Sequence, residues 1–340
     1  MRVSVITTVL NEGESIRTLL DTLTHQSRLP DEVLITDGGS TDDTLAVLHE
    51  YARNGRLPLN ILSAPGSNIS EGRNVAIRAA SGPIIATTDA GVHLSPDWLS
   101  KLVAPIQAGS AISAGFFLPD PKNLFETAMG ATVLPHKAEI DPESFLPSSR
   151  SVAFLKESWE AVGGYPEWLD YCEDLIFDMR LRDRHGPFTF VPDAVAHFRP
   201  RGSLGSFFTQ YYRYARGDGK ADLWRVRHAI RYVTYLLGIP LIIWLAITHS
   251  GWFWGLFLLG GAAYTHRPAV HLWPALAAVS LKEKLAALTL IPIIRLVGDA
   301  AKMIGYPVGV WWRLTSGRAQ DWRAAMAAGR GRGEKGVPAD

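Results

Sequence analysis

Short apolar runs alternate with amphipathic helical patterns from residue 3 to residue 88, and this alternation restricts the possible folds more than any other feature of the chain. Strands that are apolar on both faces must be covered by helices on both sides, so the pattern predicts an α/β domain with a parallel sheet. Ligands of such sheets bind at the carboxyl ends of the strands. The predicted strands are Val3–Leu10, Glu32–Thr36, Leu59–Ser63 and Pro83–Thr88, and the predicted helices are Gly13–His25, Thr41–Tyr51 and Ser70–Ala80.

Composition and charge divide the chain into two regions. Hydrophobic residues make up 47% of the sequence and charged residues 20%, which excludes a disordered chain. Residues 1–204 carry 17 Lys and Arg against 26 Asp and Glu, whereas residues 205–340 carry 17 against 7. The basic region also holds the long apolar runs, a combination that favours an anionic membrane surface over nucleic acid as its partner.

The cysteine content and the first residues are typical of a cytosolic catalytic region. Cys172 is the only cysteine, which excludes an internal disulfide and a Cys-rich zinc site. Met1–Leu10 has a short apolar run without a small-residue cleavage site. We therefore expect a buried strand here rather than a signal peptide.

A long segment, Tyr232–His266, contains no Asp, Glu, Lys or Arg. It exceeds one spanning helix of about 20 residues and predicts a helical hairpin that turns at residues 249–251; a buried hairpin inside a soluble protein is the alternative. The apolar stretches 268–281 and 285–312 are shorter or interrupted by charges, so they predict spans, re-entrant pieces or interfacial helices. Basic clusters flank the hairpin, which predicts cytoplasmic flanks and an even number of spans, two or four.

These patterns together predict four regions along the chain. They are a catalytic domain (1–204), an amphipathic interfacial segment (205–231), transmembrane or interfacial helices (232–312) and a basic, disordered cytoplasmic tail (313–340). We expect a multi-pass protein of the inner or plasma membrane whose catalytic domain faces the cytoplasm.

Two acidic residues follow strands of the predicted sheet. Asp37 is followed by Gly-Gly-Ser-Thr-Asp, and a carboxylate there can accept hydrogen bonds from a nucleobase or a ribose hydroxyl, although Asp-Gly is also common turn chemistry. Asp89 ends the fourth strand and is followed by Ala-Gly. It can face a diphosphate through Mg²⁺ or Mn²⁺, which prefer oxygen ligands, or it can belong to a simple turn.

Other polar groups are ambiguous when each is taken alone. Glu173 and Asp174 precede an apolar helix, where they suit a general base for an acceptor hydroxyl or the complement of a helix dipole. A lone His197 also suits a structural role. The segment 210–214, Gln-Tyr-Tyr-Arg-Tyr, can grip a sugar and a phosphate or form an interfacial belt.

The order of these motifs resembles glycosyltransferase family 2 over roughly residues 1–220. A strand leads into Asn-Glu, and the family's other motifs follow in order: Asp-Gly-Gly-Ser-Thr-Asp, Gly-Arg-Asn at 72–74, Thr-Asp-Ala-Gly at 88–91, Pro-Asp-Trp-Leu at 96–99, Gly-Gly-Tyr-Pro at 163–166, Glu-Asp, His197 and Gln-Tyr-Tyr-Arg-Tyr. The resemblance implies the GT-A fold, a Rossmann-like α/β domain, followed here by a C-terminal membrane-associated helical region. It also implies a nucleotide-diphosphate sugar donor and an inverting mechanism.

The resemblance assigns roles to individual residues. Asp37 matches the aspartate that reads the base, Asp174 the catalytic base, Asp89 the first aspartate of the Asp-x-Asp metal motif, and His197 a histidine that can ligate the metal. The implied donor-binding residues are Thr8, Asn11, Glu12, Asp37, Gly39, Arg73 and Asp89. The implied acceptor or diphosphate residues are Ser149, Ser151, Glu173, Gln210, Arg213 and Tyr214.

Three positions depart from the family pattern. Gly38 replaces an aspartate and Tyr214 replaces a tryptophan, with the stacking face kept. Gly91 replaces the second aspartate of Asp-x-Asp, which leaves two expectations open. Either Asp89 and His197 hold Mg²⁺ or Mn²⁺ with diphosphate oxygens and water, or Arg73 and Arg213 neutralise the diphosphate instead.

The expected activity is the transfer of a sugar to a membrane-presented acceptor, either a polyprenyl-linked glycan or a glycolipid, in the synthesis of cell-surface polysaccharide or glycolipid. Nucleic acid is not an expected partner, whereas membrane lipid is. Two alternatives stay open: an inactive membrane-associated binder of sugar nucleotides, and a soluble glycosyltransferase whose apolar C-terminal region is a dimer interface.

Overall fold

The computed structural model describes residues 1–317 and Trp322, and the chain forms two compact units. The first unit contains Met1–Leu118 and Glu139–Phe198; the second contains Pro119–Ala138 and Arg199–Gly317. The predicted catalytic domain, 1–204, included residues 119–138. In the structure this segment belongs to the second unit, where Ala128 and Met129 pack with the C-terminal helices. The predicted tail beyond residue 317, apart from Trp322, lies outside the described residues.

The strands and helices of the two units are as follows. The strands are β1 (Val3–Val9), β2 (Glu32–Asp37), β3 (Leu59–Ser63), β4 (Ile84–Thr87), β5 (Val92–Leu94), β6 (Ile112–Pro119), β7 (Val152–Leu155) and β8 (Thr189–Phe198). The α-helices are α1 (Ile16–Thr24), α2 (Thr44–Asn54), α3 (Ile69–Ala79), α4 (Trp98–Gln107), α5 (Leu124–Val133), α6 (Lys156–Ala161), α7 (Glu173–His185), α8 (Leu204–Lys220), α9 (Arg225–Val233), α10 (Ile239–Thr248), α11 (Trp254–Leu272) and α12 (Leu281–Thr315).

One mixed sheet forms the centre of the first unit, in the order β3-β2-β1-β4-β7-β6-β8-β5. The strands β3, β2, β1 and β4 are parallel, which confirms the α/β architecture expected from the alternating pattern. Beyond β4 the sheet continues with β7 and β6 in antiparallel pairing, a part that the sequence pattern did not predict. The alternation of strand and helix signals stops after β4, so this half left no periodic signal.

Both faces of the sheet are covered, as the apolar strands require. Val5 packs with Leu19 of α1 in one core cluster, whereas its neighbour Ile6 packs with Ile77 of α3 and Phe177 of α7 in the other. This is the two-residue alternation of a strand. Each such fully buried side chain contributes about 1.5–3 kcal/mol by leaving water.

The second helix begins later than the sequence predicted. We expected Thr41 as its first residue, but α2 begins at Thr44. The backbone amides of Ser40 and Thr41 donate to the side chains of Asp37 and Asn11, so these residues belong to the loop. The carboxylate of Asp42 accepts a hydrogen bond at 3.0 Å from the amide of Thr44, the first residue of the helix.

Close backbone contact joins α8 and α12 in the second unit. An added Cβ at Gly305 would lie 2.2 Å from the Tyr212 carbonyl oxygen, and one at Gly309 would lie 2.1 Å from the Arg216 carbonyl oxygen. Only glycine permits this approach. The spacing of the two glycines by one helical turn therefore sets how the two helices pack.

The uncharged segment folds as a helical hairpin, with α10 ending at Thr248 and α11 beginning at Trp254. Within the described part of the chain, one continuous helical stretch, Arg225–Thr248, is long and apolar enough to cross a membrane. The expectation of two or four spans is therefore not supported. The uncharged part of α11 ends before Arg267 and is shorter than the about 20 residues that a span requires, and α12 carries charges at its centre.

We predict that Gly309→Ala destabilises the helical unit. The new methyl group meets a backbone carbonyl that cannot rotate away, so we expect a loss of about 1–3 kcal/mol or more. Gly260→Ala is the control, because nothing lies within 4 Å of the added Cβ; better helix propensity should make it neutral or slightly stabilising. Thermal unfolding of the detergent-purified protein, followed by circular dichroism, compares the two. Equal melting temperatures would contradict the close packing of α8 and α12.

Candidate active site

The carboxyl ends of the parallel strands lie side by side at one edge of the sheet. Val9 of β1 is paired with Asp37 of β2, which is in turn paired with Ser63 of β3. Thr8 lies one residue earlier, next to Thr36. The loops that follow these strands therefore start from the same edge, where ligands of such sheets bind.

The side chain of Asp37 is held by the loop that follows it. It is 3% exposed, and its carboxylate accepts hydrogen bonds from the amides of Gly39 and Ser40 at 3.1 Å. Gly39 has a φ of 101°, and an added Cβ would lie 3.3 Å from the Pro65 Cα, so the turn requires glycine here. The turn thus fixes the direction of one carboxylate at the sheet edge.

The loop after β1 is bonded to the loop after β2. Asn11 adopts a left-handed conformation with a φ of 54°, and its side-chain oxygen accepts from the Thr41 amide at 2.8 Å. The amides of Glu12 and Gly13 donate to the Thr44 hydroxyl at 2.9 and 2.8 Å. The structure therefore brings together the predicted donor residues Thr8, Asn11, Glu12, Asp37 and Gly39.

A buried guanidinium links three segments of the first unit. The Arg73 side chain on α3 is 4% exposed and donates to Glu173 Oε1 at 2.7 Å and to Asp89 Oδ1 at 2.9 Å. It also lies over the Tyr165 ring, 5.2 Å from the centroid. Arg73 was expected to bind the donor. Its two carboxylate partners give it a positioning role, and a contact with the donor stays a prediction.

Asn74, next to Arg73, fixes the Gly-Gly-Tyr-Pro loop. Its side-chain oxygen accepts from Trp159 Nε1 at 3.0 Å and from the Tyr165 amide at 2.9 Å. Its amide nitrogen donates to the Tyr165 carbonyl at 2.9 Å. Gly164 in this loop has a φ of 72°. The Gly-Arg-Asn motif therefore positions the ring on which Arg73 lies.

A second arginine, Arg150, lies between the predicted residues Ser149 and Ser151 and had no predicted role of its own. Its Nε lies 3.2 Å from Asp89 Oδ2, and its guanidinium lies 4.6 Å from the centroid of the Phe198 ring. Asp89 thus has an arginine on each oxygen, and its side chain is 28% exposed. Its position between Ser149 and Ser151 was the sequence signal that could have identified Arg150 as a site residue.

Ser149 and Ser151, which were expected to line a sugar, are both buried. The Ser149 hydroxyl lies 2.9 Å from the Tyr165 hydroxyl. The Ser151 hydroxyl accepts from Trp98 Nε1 at 2.8 Å and donates to the Ala194 carbonyl at 2.9 Å. A direct contact with sugar would require these hydroxyls to leave their partners. The serines hold the loop, and Arg150 is the group that the loop presents.

The two carboxylates at the start of α7 lie in different environments. Glu173 is buried, and burial together with the charge of Asp174 raises its pKa to about 7, against the opposing effect of Arg73. Asp174 is only half-buried, and its Oδ1 accepts from the Leu175 amide at 2.9 Å. Of the two, Asp174 is therefore the carboxylate that is open to solvent.

Asp178 lies one turn after Asp174 on α7 and was missed by sequence reasoning. It is fully buried, and neither carboxylate oxygen has a hydrogen-bond partner among residues 1–317. Burial, followed by the charge of Asp174, raises its pKa well above the usual value of 3.8. Burial therefore favours the neutral form of this carboxyl group. The four-residue spacing from Asp174 was the only sequence signal for it.

His197 lies on β8 opposite His93 of β5, and the two rings stack with centroids 4.6 Å apart. His197 Nε2 lies 3.2 Å from the Ser95 hydroxyl. Arg150 contacts Asp89 and the ring of Phe198, the residue after His197. Because neighbouring residues of a strand point to opposite faces, this contact does not bring His197 next to Asp89, and a shared metal ion stays a prediction.

Asp89 and His197 can supply only part of the ligand set of a divalent ion. The described residues contain no group of three or more His, Cys, Asp or Glu side chains that could hold a metal. One carboxylate and one imidazole suit an ion that takes its other ligands from a diphosphate and water. Such an ion would also require Arg150 to move away from Asp89.

The last group of predicted residues lies on α8, in the second unit. Gln210 Nε2 donates to the Tyr214 hydroxyl at 2.8 Å, and the Gln210 side-chain oxygen accepts from Arg201 Nε at 3.3 Å. Arg213 is exposed. Gln210, Arg213 and Tyr214 thus share one helix, and their contact with a diphosphate or acceptor stays a prediction.

Comparison with known proteins gives consistent matches. The family model described as glycosyl transferase family 2 matches residues 4–147. Glycosyltransferase AglE of Haloferax volcanii is 26% identical over 72% of this chain and 80% of its own length. The succinoglycan biosynthesis protein ExoA of Rhizobium meliloti is 26% identical over 75% of this chain and 83% of its own length.

A solved structure shares the fold. It is the mannosyltransferase PcManGT from Pyrobaculum calidifontis in complex with GDP-Man and Mn²⁺, with a TM-score of 0.55 and 21% sequence identity. The match covers 93% of this chain and 87% of that one. This likeness confirms the expected GT-A architecture.

We predict that Asp178→Asn stabilises the protein as the pH rises. Between the usual carboxyl pKa of 3.8 and the raised value of the folded state, the folded protein keeps a proton that the unfolded chain releases. Unfolding of the wild type is therefore favoured by rising pH, by up to about 1.4 kcal/mol for each unit of raised pKa. Asparagine does not titrate, so the variant lacks this pH-dependent loss of stability.

Denaturant unfolding at a series of pH values from about 4 to about 8 measures the effect. The stability difference between Asp178→Asn and the wild type should grow with pH in favour of the variant. Glu160→Gln, at an exposed position on α6, should show no such trend. A difference that is constant with pH would mean that Asp178 is not a buried neutral acid.

Proposed function

We propose that this chain, which belongs to glycosyltransferase family 2, moves one sugar from a nucleotide-diphosphate donor to a hydroxyl of a membrane-presented acceptor. The observation that carries the proposal is the half-buried Asp174 carboxylate, which follows Glu173 in the ion-paired set of Glu173, Arg73 and Asp89. An accessible carboxylate beside a charged, preorganised edge suits proton removal from an acceptor hydroxyl.

The donor nucleotide is proposed to bind over the ends of β1 and β2. The Asp37 carboxylate is oriented by the Gly39 and Ser40 amides and can accept a hydrogen bond from a nucleobase N–H or a ribose hydroxyl. The left-handed Asn11 keeps the first loop in a fixed shape next to it. Asp89 and Arg150 then face the diphosphate.

The proposed reaction is a single displacement at the anomeric carbon. Asp174 accepts the proton of the acceptor hydroxyl as the hydroxyl oxygen bonds to that carbon. The bond between the carbon and the diphosphate oxygen breaks, and the nucleoside diphosphate leaves with the electron pair, so the configuration inverts. The Arg150 guanidinium stabilises negative charge on the leaving group, and Arg73 holds Glu173 behind Asp174.

Asp89 and His197 are the proposed ligands of a divalent ion, Mg²⁺ or Mn²⁺. When bound, such an ion supplies positive charge that neutralises the diphosphate. Asp89 can serve only after Arg150 releases it, so Arg150 either turns to the diphosphate or remains as the neutralising cation in place of the ion.

A membrane location of the acceptor is proposed from the surface of the second unit. Large apolar side chains are exposed along its helices, among them Trp252 at 90%, Leu258 at 77% and Leu237 at 64%. So extensive an apolar surface suits lipid. One relative is a succinoglycan biosynthesis protein, which supports a role in cell-surface glycan synthesis. The sugar nucleotide would then be used on the cytoplasmic side.

One observation favours a second candidate, an inactive binder of sugar nucleotides. Gly91 offers no second carboxylate, and an added Cβ there would meet nothing within 4 Å, so the lack of one is not forced by space. The Asp174 carboxylate argues against this candidate, since a binder has no use for a base.

We predict that Asp174→Asn lowers sugar transfer by about 10²–10⁴-fold, the usual cost of losing a general base. Donor binding should stay within about threefold of the wild type, because the Asp37 and Asn11 loops are untouched. Asp183→Asn, the same change further along α7, is the matched control and should keep its activity. Transfer rates and donor titrations of the three proteins test this. Near-normal transfer by Asp174→Asn would remove Asp174 from the base role.

We also predict that removing divalent ions weakens donor binding. Calorimetric titration of the sugar nucleotide with Mn²⁺ and with excess EDTA should show loss of affinity in EDTA for the wild type. Asp89→Asn should bind weakly in both conditions, because it loses the ligand. If EDTA changes neither binding nor turnover, the arginines carry the neutralisation and the proposed ion is wrong.

A further inference from the structure

The second unit contains a polar cluster on four helices, built around the centre of α12. Arg295, Asp299 and Lys302 are spaced by four and three residues, so they share one face of that helix. Arg231 of α9 and Tyr264 of α11 meet this face. We call these five residues, together with Tyr211 of α8 and Tyr235, the α12 cluster.

Both carboxylate oxygens of Asp299 accept hydrogen bonds inside the α12 cluster. Its Oδ1 accepts from Arg231 Nε at 2.7 Å. Its Oδ2 accepts from the hydroxyls of Tyr235 at 2.9 Å and Tyr264 at 2.5 Å. One carboxylate therefore balances one arginine and orients two phenols, and little acceptor capacity is left for another cation.

Arg295 and Lys302 have no carboxylate bonded to them in the described part of the chain. The Arg295 guanidinium lies 4.0 Å from the centroid of the Tyr264 ring, and its buried Nε has no hydrogen-bond partner among the described residues. Lys302 Nζ lies 4.9 Å from the centroid of the Tyr211 ring. Both cations rest on aromatic faces instead of forming ion pairs.

The charges around Lys302 do not balance. Arg231, Arg295 and Lys302 are opposed by Asp299 and by Asp218, and the Asp218 carboxylate lies 3.2 Å from His228 Nε2. Excess positive charge in a partly buried site is costly unless an anion joins it. A guanidinium and an ammonium that lack a bound carboxylate are the groups that bind a phosphate.

We propose that the α12 cluster binds the phosphate of a long-chain lipid, with Arg295 and Lys302 as its cationic ligands. The proposal rests on the proposed function, for which it supplies the anchor of the acceptor. A lipid rather than free phosphate is favoured because the same helices expose apolar side chains near the cluster. Leu296 is 50% exposed, Ile293 43% and Leu236 60%, so an acyl or isoprenoid chain has a surface to lie on.

The binding test uses the full-length protein in a neutral detergent without any sugar nucleotide. The probes are phytanyl phosphate, phytanol and inorganic phosphate, titrated by calorimetry. We expect saturable binding of phytanyl phosphate and no comparable binding of the other two probes. Comparable binding of inorganic phosphate would overturn the lipid source, and comparable binding of phytanol would overturn the role of the phosphate.

Variants assign the binding to the cluster. Arg295→Gln and Lys302→Gln should each weaken phytanyl phosphate binding by about tenfold or more, as expected for a lost charge-assisted hydrogen bond. Arg295→Lys should retain most of the affinity. Lys282→Gln removes the same charge at an exposed position in the first turn of α12 and is the matched control. Equal affinity of Lys302→Gln and the control for phytanyl phosphate would overturn the assignment. Lys302→Gln is expected to fold, because the Lys302 side chain forms no hydrogen bond with the described residues.

The same preparations separate this inference from the proposed function. Transfer to a lipid acceptor without measurable binding of phytanyl phosphate would overturn the site and leave the glycosyltransferase activity standing. Binding that depends on Arg295 and Lys302, without any transfer that depends on Asp174, would support the site and count against the proposed reaction.

Discussion

The first unit depends on one buried guanidinium. Arg73 joins α3 to the end of β4 through Asp89 and to the start of α7 through Glu173, and it lies on the Tyr165 ring. Removing one partner of such a buried pair costs about 3–5 kcal/mol, because the other charge is left without compensation. Three segments that are distant in the sequence are thereby held at one edge of the sheet.

Burial then divides the neighbouring carboxyl groups by role. Glu173 and Asp178 have raised pKa values because they are removed from water and lie near the charge of Asp174. Asp174, half-buried at the start of α7, is the one that is open to solvent. At the start of α7, the more exposed Asp174 thus stands beside Glu173, which is bound to Arg73, and one turn before the buried Asp178. Asp89 is similarly shared between Arg73 and Arg150.

The sequence predicted the parts of this arrangement that leave a local signal. The parallel strands follow from apolar runs, and the loops at Asn11 and Asp37 follow from motif order and strand ends. Arg150 and Asp178 were missed because their importance comes from contacts with Asp89 and from burial, neither of which is periodic. The serines beside Arg150 were chosen for their hydroxyls, yet the fold uses those hydroxyls internally. The prediction of two or four spans is not supported, because among the described residues the uncharged run yields one helix of sufficient length and apolarity to cross a membrane.

The central claim is a single displacement in which Asp174 removes the acceptor proton while the nucleoside diphosphate leaves. The stereochemistry of the product tests it most directly, by proton NMR of the anomeric signal of the newly transferred sugar, compared with the anomeric configuration of the donor. A single displacement predicts the opposite anomeric configuration in the product. Retention of the donor's configuration would contradict the account, since it would require a second displacement that Asp174, acting as a base, does not provide.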